Sequence, residues 1–380
     1  MGTQMEAVVL GWFILTLTDS PFLVGSISAA RMAMNIMALF AGAIADRVPR
    51  HRLLAVVEFM MAGFAALMLV LILSGQLETW HIFAVAVVAG MVRVFQMPAA
   101  QSLVADTLPP DRIANGAAFN NLGRNIAMLL GPLIGGVLFN SFGAKGAYIA
   151  IAVLYIMSGW VALYIRSSGQ KIPDKKDGQT ESVFRTIISG LKYVKGQQVL
   201  WGTLALALVI ESSGWTFHTT LMPIFARDIL DVDSTGLGLL LFAFGVGAVA
   251  ASLGWAMVSN LRHVGKLMIA SVVFWHASIL LFATSESFYL SMAILTLTGA
   301  GFASTQVFLL SSLLGNSRPE FRGRVISLRS LAIYAFALGS MSSGLMAGLW
   351  SAPVAANIVG VMGIVLVLLL AVFAPKLRRL

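Results

Sequence analysis

Apolar residues come in long blocks along the chain, separated by short clusters of Arg, Lys, Asp, Gly and Pro. The blocks lie near 5–17, 22–45, 53–73, 81–104, 115–140, 144–166, 199–226, 235–260, 266–284, 287–314, 325–350 and 353–374. A helix needs about 20 residues, at about 1.5 Å each, to cross about 30 Å of hydrocarbon. All blocks but the first reach that length, so the pattern predicts an all-α membrane protein of twelve helices. Block 5–17 covers only about 18–20 Å, and is read as a truncated first helix: either the sequence start lies inside it or its lead-in has been lost. No Lys or Arg precedes it and no small-residue cleavage site follows it, which sets it apart from a secretory signal.

One long polar segment, 167–198, divides the blocks six and six. It opens as SSGQKIPDKKDGQ and then sets Val183, Phe184, Ile187, Ile188, Leu191 and Val194 at helical spacing, with Arg185, Lys192 and Lys195 on another face. This predicts an amphipathic helix at the inner membrane surface, with a solvated linker helix as the alternative. The predicted organisation is an N-terminal six-helix bundle, 1–166, a cytoplasmic linker with that helix, 167–198, and a C-terminal six-helix bundle, 199–380.

Charge placement sets the orientation. If the chain enters from the cytoplasm, the loops on that side and the C-terminus carry nearly every Lys and Arg, from Arg47, Arg50 and Arg52 to Arg318, Arg322, Arg324, Arg329 and Lys376. The opposite loops carry Lys145 and Arg227. Basic residues favour the cytoplasmic side, so a multi-pass protein of the cell inner membrane with a cytoplasmic C-terminus is predicted. Composition agrees: 58% of residues are hydrophobic and 11% charged, against about a quarter charged in soluble domains. The net charge of +9 is scattered through short loops rather than gathered on one face, which excludes a nucleic-acid partner. The absence of cysteine excludes disulfides, thiolate metal sites and cysteine nucleophiles.

The two halves echo each other. Gly42 precedes Arg50-His51 by the same distance as Gly254 precedes Arg262-His263, an offset of 212, while Pro110 and Gly135 match Pro319 and Gly344 at an offset of 209. This predicts a parallel duplication of a six-helix unit. Within the first copy, Gly42, Asp46, Arg47 and Arg50 end a helix and begin a loop; a Gly allows close helix approach and an Asp accepts hydrogen bonds from a neighbouring helix N-terminus or an Arg. Read on its own, the same stretch also serves as a topology anchor. In block 115–140, Ala127, Gly131 and Gly135 form a small-residue stripe, and Pro132 removes a backbone hydrogen bond and bends the helix.

These stretches resemble the signatures of the major facilitator superfamily. The form G-x-x-x-D-R-x-x-R is met by Gly42, Asp46, Arg47 and Arg50, with Pro49 where Gly is usual. Ala127, Gly131, Pro132, Gly135 and Gly136 are similar to the motif of its exporters and antiporters. Arg93 and Gln96, followed by Met97, are similar to R-x-x-Q-G. With LMPIFARDIL, GLGLLLFAFGVGA and RGRVISL, the resemblance covers essentially the whole chain and narrows to the enterobactin-exporter-like, transmembrane-secretion-effector branch. It implies two pseudo-symmetric six-helix bundles that rock around a midplane site. Helices 5 and 11 would pack against the opposite half, and Asp46 would hold the cytoplasmic side closed. In the second copy Val258 replaces the acid, leaving Arg262.

Glu6, Arg31, Glu58, Arg93, Arg124 and Glu211 lie inside apolar blocks. Facing lipid, a charged side chain costs at least about 2.5–3.5 kcal/mol at the bilayer centre, so each is expected to face a cavity or a partner. Counting from block ends places Arg31 about 14 Å and Arg93 about 18 Å below the outer surface, and Glu211 about 18 Å above the inner one. Arg124 lies nearer the cytoplasm, and Glu58, close to the start of block 53–73, is read as structural. The resemblance implies a proton-coupling or substrate cavity shared by Glu6, Arg31, Arg93, Arg124, Glu211 and Trp215. Burial and a neighbouring Arg act in opposite senses on a carboxylate's proton, so such pairs can load and release protons as access alternates. Structural ion pairing is the competing reading of each.

Enzyme signals are poor. A match to the dinucleotide fingerprint at 245–250 lies inside an apolar block with no preceding strand, and there is no phosphate loop or H-E-x-x-H motif. The reading is therefore a non-enzymatic secondary transporter without cofactor or metal, monomeric in the lipid bilayer, that exports a small amphipathic molecule, drug- or siderophore-like, against protons. An importer or uniporter of the same fold, and a truncated chain that transports nothing, are the alternatives.

Overall fold

The computed structural model describes residues 1–34, 48–109, 112–165, 183–258 and 263–380. Among these residues the regular elements are helices and no strand occurs. In the first half they are α1 (Gly2–Thr18), α2 (Pro21–Ala33), α3 (Arg50–Ser74), α4 (Thr79–Arg93), α5 (Gln96–Thr107) and α6 (Ile113–Tyr164). Then follow α7 (Val183–Lys195), α8 (Gln198–Ile210), two π-helical segments (Glu211–Trp215 and Phe217–Leu221), α9 (Met222–Asp228), α10 (Ser234–Ala256) and α11 (Val264–Ala283). The chain ends with α12 (Phe288–Gly315), α13 (Arg322–Ser330), α14 (Ile333–Leu349), α15 (Ala352–Phe373) and α16 (Pro375–Arg378). Gly42, Asp46, Arg47 and Arg262 lie outside the described residues, and Arg50 opens α3.

Nine stretches among the described residues are long and apolar enough to cross a membrane. The longest, Phe119–Tyr164, holds two helices: Gly143 adopts φ 67°, ψ −171°, open to glycine without strain, and the arms 113–142 and 144–164 run to either side of it. Those arms, together with α1 and α2, account for the twelve predicted helices. α1 has 17 residues, or about 26 Å of helix. Leu73, Val161, Leu338, Val372 and Phe373 are each more than half exposed. In water such a surface drives association; in a bilayer it is the side that meets acyl chains.

Local sequence explains where helices break. Block 81–104 is interrupted between Arg93 and Gln96 because Pro98 has no N–H for the Val94 carbonyl, and its ring crowds that oxygen. In block 199–226, Pro223 stands in the same relation to Thr219, and the chain widens into its π-helical turns just before it. Thr216 and Thr219 donate their hydroxyls to the Glu211 and Trp215 carbonyls at 3.2 and 3.1 Å, bonding oxygens in the widened turns. At α10 the Asp233 carboxylate accepts from Gly236 N at 2.8 Å and caps the helix.

The chain forms two compact units, Met1–Thr18 with Ala30–Thr180, and Asp19–Ala29 with Glu181–Leu380, so α2 is divided between them. In the first unit, α1 and α3 pack on α6. A Cβ at Gly131 would meet Gln4 at 2.6 Å, and one at Gly135 would meet Met5 at 3.2 Å, so the small-residue stripe lets α1 lie against α6. The stripe thus has a partner within its own unit.

In the second unit α12 is the hub, packed on α10 and α11. Gly247 lies against the Thr296 carbonyl and Gly299 against that of Phe244, so the two helix backbones touch. The outer part of α2 belongs here: Gly25 lies against the Ser340 carbonyl, and a Cβ at Gly344 would meet Pro21 O at 2.6 Å. At that end Arg227 bonds Asp19 at 2.8 Å and Asp228 at 2.6 Å. The amphipathic α7 docks on protein. Gly190 faces Leu328 and Arg324, the Tyr193 ring stacks on Phe321 at 4.0 Å, and the Tyr193 hydroxyl accepts from Arg318 N at 3.0 Å. Ile188 and Leu191 stay half exposed beside this contact.

The backbone contact of α10 with α12 gives a first prediction. Gly247→Ala overpacks it, which costs about 1–3 kcal/mol or more, and is expected to lower the thermal unfolding midpoint of the detergent-purified protein. Gly254→Ala, whose Cβ meets nothing within 4 Å, is expected to leave it unchanged.

Candidate functional site

In the first unit, α1 carries Glu6, α4 carries Arg93 at its end, and the arm 144–164 carries Tyr155. Arg93 Nη2 donates to Glu6 Oε2 at 2.6 Å, the Tyr155 hydroxyl donates to the same oxygen at 2.9 Å, and Thr3 Oγ1 lies 3.1 Å from the Tyr155 hydroxyl. The pair is well shielded, with side-chain exposures of 19% for Arg93 and 12% for Glu6. Arg31 reaches it from α2: its charge acts on both Glu6 and Arg93, and Gly90 makes room on α4 for the Arg31 carbonyl. Two guanidinium groups thus bear on one carboxylate, held by elements from four parts of the unit.

Arg124 stands apart from this group. It is exposed, and Nη2 donates to Asn121 Oδ1 on its own helix at 3.2 Å. Glu58 is 4% exposed and accepts from Gln96 Nε2 at 2.6 Å, tying α3 to α5. That contact suits the structural role read for Glu58, and it gives Gln96 a partner inside the protein.

The second unit carries Glu211 and Trp215 on the first π-helical segment. A π turn is uncommon and recurs at functional sites because it re-aims side chains without ending the helix. Glu211 stands on it, and Arg329 of α13 supplies the charge opposed to its carboxylate. Arg329 Nη2 also donates to Gln306 Oε1 on α12 at 2.6 Å. This corrects the sequence reading of Arg329 as one more basic residue of a cytoplasmic loop: it is half-buried inside the helical body. The physical reason is that residues 322–330 form a helix of their own, so Arg329, which stands inside block 325–350, lies on α13 beside α12 rather than in the loop before it.

Trp215 stacks on Phe302 with centroids 5.2 Å apart and 25° between planes. His218, on the next segment, stacks on Phe244 at 3.9 Å. His276 is core, as read from sequence: it is fully buried, with Nε2 2.8 Å from Ser213 Oγ and Nδ1 2.8 Å from the Val272 carbonyl, and its ring fills the space left by Gly363. Tyr155, Arg329 and Gln306 were not among the candidates from sequence. Gln306 is a polar residue within an apolar helix, the signal that singled out the others, whereas Arg329 follows Arg318, Arg322 and Arg324 in a charged stretch. Tyr155 is too ordinary in such a helix to stand out.

Among the described residues no group of His, Cys, Asp and Glu is placed to hold a metal ion. Helices that are apolar all round, with ionisable side chains turned inward to one another, define an integral membrane protein. The chain belongs to the transmembrane secretion effector family of the major facilitator superfamily, matching it over residues 1–379. It is 23% identical over 70% of its length to the staphyloferrin A transporter of Staphylococcus aureus, of which the alignment covers 66%, just short of two thirds. To the multidrug efflux pump Tap of Mycolicibacterium fortuitum it is 24% identical over its full length and 93% of that protein. Among solved structures, the nucleoside transporter NupG superposes with a TM-score of 0.77 at 13% identity, over 97% of this chain and 95% of that one. The peptide transporter POT bound to alafosfalin gives 0.78 at 13%, over 100% and 92%. At those identities the two structures establish the fold.

Proposed function

We propose that the protein exports a small amphipathic molecule from the cytoplasm in exchange for protons. In this reading it sits in the cell inner membrane as a monomer of two bundles joined by a cytoplasmic linker, with its C-terminus inside. The observation that carries it is the shielded Glu6–Arg93 pair with Tyr155 on the shared oxygen. A carboxylate and a guanidinium enclosed in a membrane bundle form a charge pair that gaining one proton breaks, and this is what couples a proton to a change of shape. The names of the relatives point the same way, one being a siderophore transporter and one a multidrug efflux pump. A shorter match, 34% identical over 32% of the chain, is a cation/proton antiporter of Planococcus maritimus.

Glu211 is assigned as the leading proton carrier and Glu6 as the second, with Arg93 and Arg31 modulating Glu6 and Arg329 facing Glu211. Arg124 is assigned to the cytoplasmic approach to the cavity. The test is transport by the full chain in inverted vesicles under an imposed pH gradient. Substrate accumulation that follows the gradient and collapses with an uncoupler is expected. Accumulation indifferent to the gradient would establish a uniporter instead.

Asp46, with Gly42, Arg47 and Arg50, is assigned to the cytoplasmic gate. Asp46→Asn is expected to raise labelling, from the cytoplasmic side, of cysteines introduced at the cavity face. Unchanged labelling would return the stretch to a topology anchor.

A further inference from the structure

The face of the second unit that carries Glu211 has a second component besides charge. Trp215, His218 and Phe302 are half-buried, while Phe244 and Trp275 behind them are each 1% exposed. Phe244 lies under His218 at 3.9 Å, and Trp275 meets Phe302 edge-on at 5.3 Å. The front row of rings is therefore fixed on a buried back row and cannot collapse into the core. Gln306, four residues from Phe302 on α12, holds Arg329 at 2.6 Å, and Glu211 stands four residues from Trp215; charged groups turned to hydrocarbon are costly, so we read this face as lining a cavity that water or substrate enters.

His218 supplies the second observation. Its Nδ1 is buried without a hydrogen-bond partner, although the residue as a whole is half-buried. A desolvated ring nitrogen with no partner is unfavourable, and turning the imidazole about its Cβ–Cγ bond brings that nitrogen to the open edge. The wide helical turns at Glu211–Trp215 and Phe217–Leu221 set Trp215 and His218 on the same side, with ring centroids 5.2 Å apart.

We propose that Trp215, Phe302 and His218 form a stacking subsite for a planar aromatic group that bears a hydrogen-bonding substituent. The flat ring lies along Trp215 and Phe302, and the substituent bonds the His218 imidazole. This names the substrate class for the cavity and rests on the reading of that face as part of the transport path. The rings select by flatness, since stacking on an aromatic face is lost when the ligand ring is saturated and puckered.

The experiment uses the full chain in lipid nanodiscs and three probes: naphthol, its saturated counterpart decalol, and methoxynaphthalene, which lacks the donor. Equilibrium binding, with empty nanodiscs subtracted, is expected to favour naphthol over decalol by about tenfold or more. Trp215→Leu and Phe302→Leu are expected to abolish that preference, Phe302→Tyr to keep it as a folded control, and His218→Ala to abolish the preference for naphthol over methoxynaphthalene. Equal binding of naphthol and decalol, or a preference untouched by both Leu variants, overturns the proposal. The same preparations in proteoliposomes report pH-driven export separately. Export without ring preference removes the subsite and keeps the exporter; ring preference without pH-driven export does the reverse.

Discussion

Glu211→Gln is expected to reduce pH-gradient-driven export to the level of vesicles lacking the protein, at matched amounts in the membrane. Gln keeps the size of the side chain but does not ionise, so the driven component is expected to disappear in full rather than in part. The fold is expected to survive. Arg329, the charge that faces Glu211, keeps its 2.6 Å bond to Gln306, and among the described residues no hydrogen-bonded partner of the Glu211 carboxylate is stranded in a core. Substrate exchange in the absence of a gradient, which needs no net proton movement, therefore continues. Undiminished driven export removes Glu211 from the proton path, and loss of exchange as well as export shows that the substitution damaged substrate binding.

Arg93→Ala has the largest expected effect on stability. It leaves the Glu6 carboxylate shielded and without its closest cation, and removing one member of a buried pair costs about 3–5 kcal/mol. Tyr155→Phe removes the second donor on the same oxygen and costs less, about 1.5–3 kcal/mol for a hydrogen bond to a charged group. The double variant Glu6→Gln, Arg93→Ala is expected to recover part of the loss, because no uncompensated charge remains. Unfolding in mixed micelles, followed by tryptophan fluorescence, gives the order of the three. If Arg93→Ala costs under about 1 kcal/mol, water solvates the pair as it does at a surface, and its place as an enclosed coupling element falls.

Helix number was legible in the sequence because it depends on a one-dimensional quantity. Block length gives the spans, and counting residues at about 1.5 Å each gives depth, which placed Arg31 and Arg93 on one level. Their meeting with Glu6 needed only that α1, α2 and α4 be neighbours. Partners that depend on rotation about a helix axis were not legible. Arg329 was assigned to a loop because it follows Arg318, Arg322 and Arg324 in sequence, and only the course of α13 beside α12 shows it paired with Gln306. The docking of α7 through Tyr193 on Phe321 was hidden for the same reason, since an amphipathic pattern does not say whether lipid or protein covers its apolar face. The π-helical stretch left a trace in Pro223 and the neighbouring Thr216 and Thr219, but a proline in an apolar block is equally consistent with a simple kink.

Those wide turns bear on how such a chain tolerates insertions and deletions. Each π turn holds one residue more than an α turn in the same ladder, so it is in effect an inserted residue that the helix has absorbed without breaking. Deleting a single residue between 211 and 221 is expected to return a turn to α geometry and leave the span continuous. The flanking helix keeps its facing, because the turn had absorbed the extra residue, while the side chains inside the turn are re-aimed. A chain one residue shorter would still thread the membrane at this helix, yet Glu211 and His218 would no longer look onto the same space.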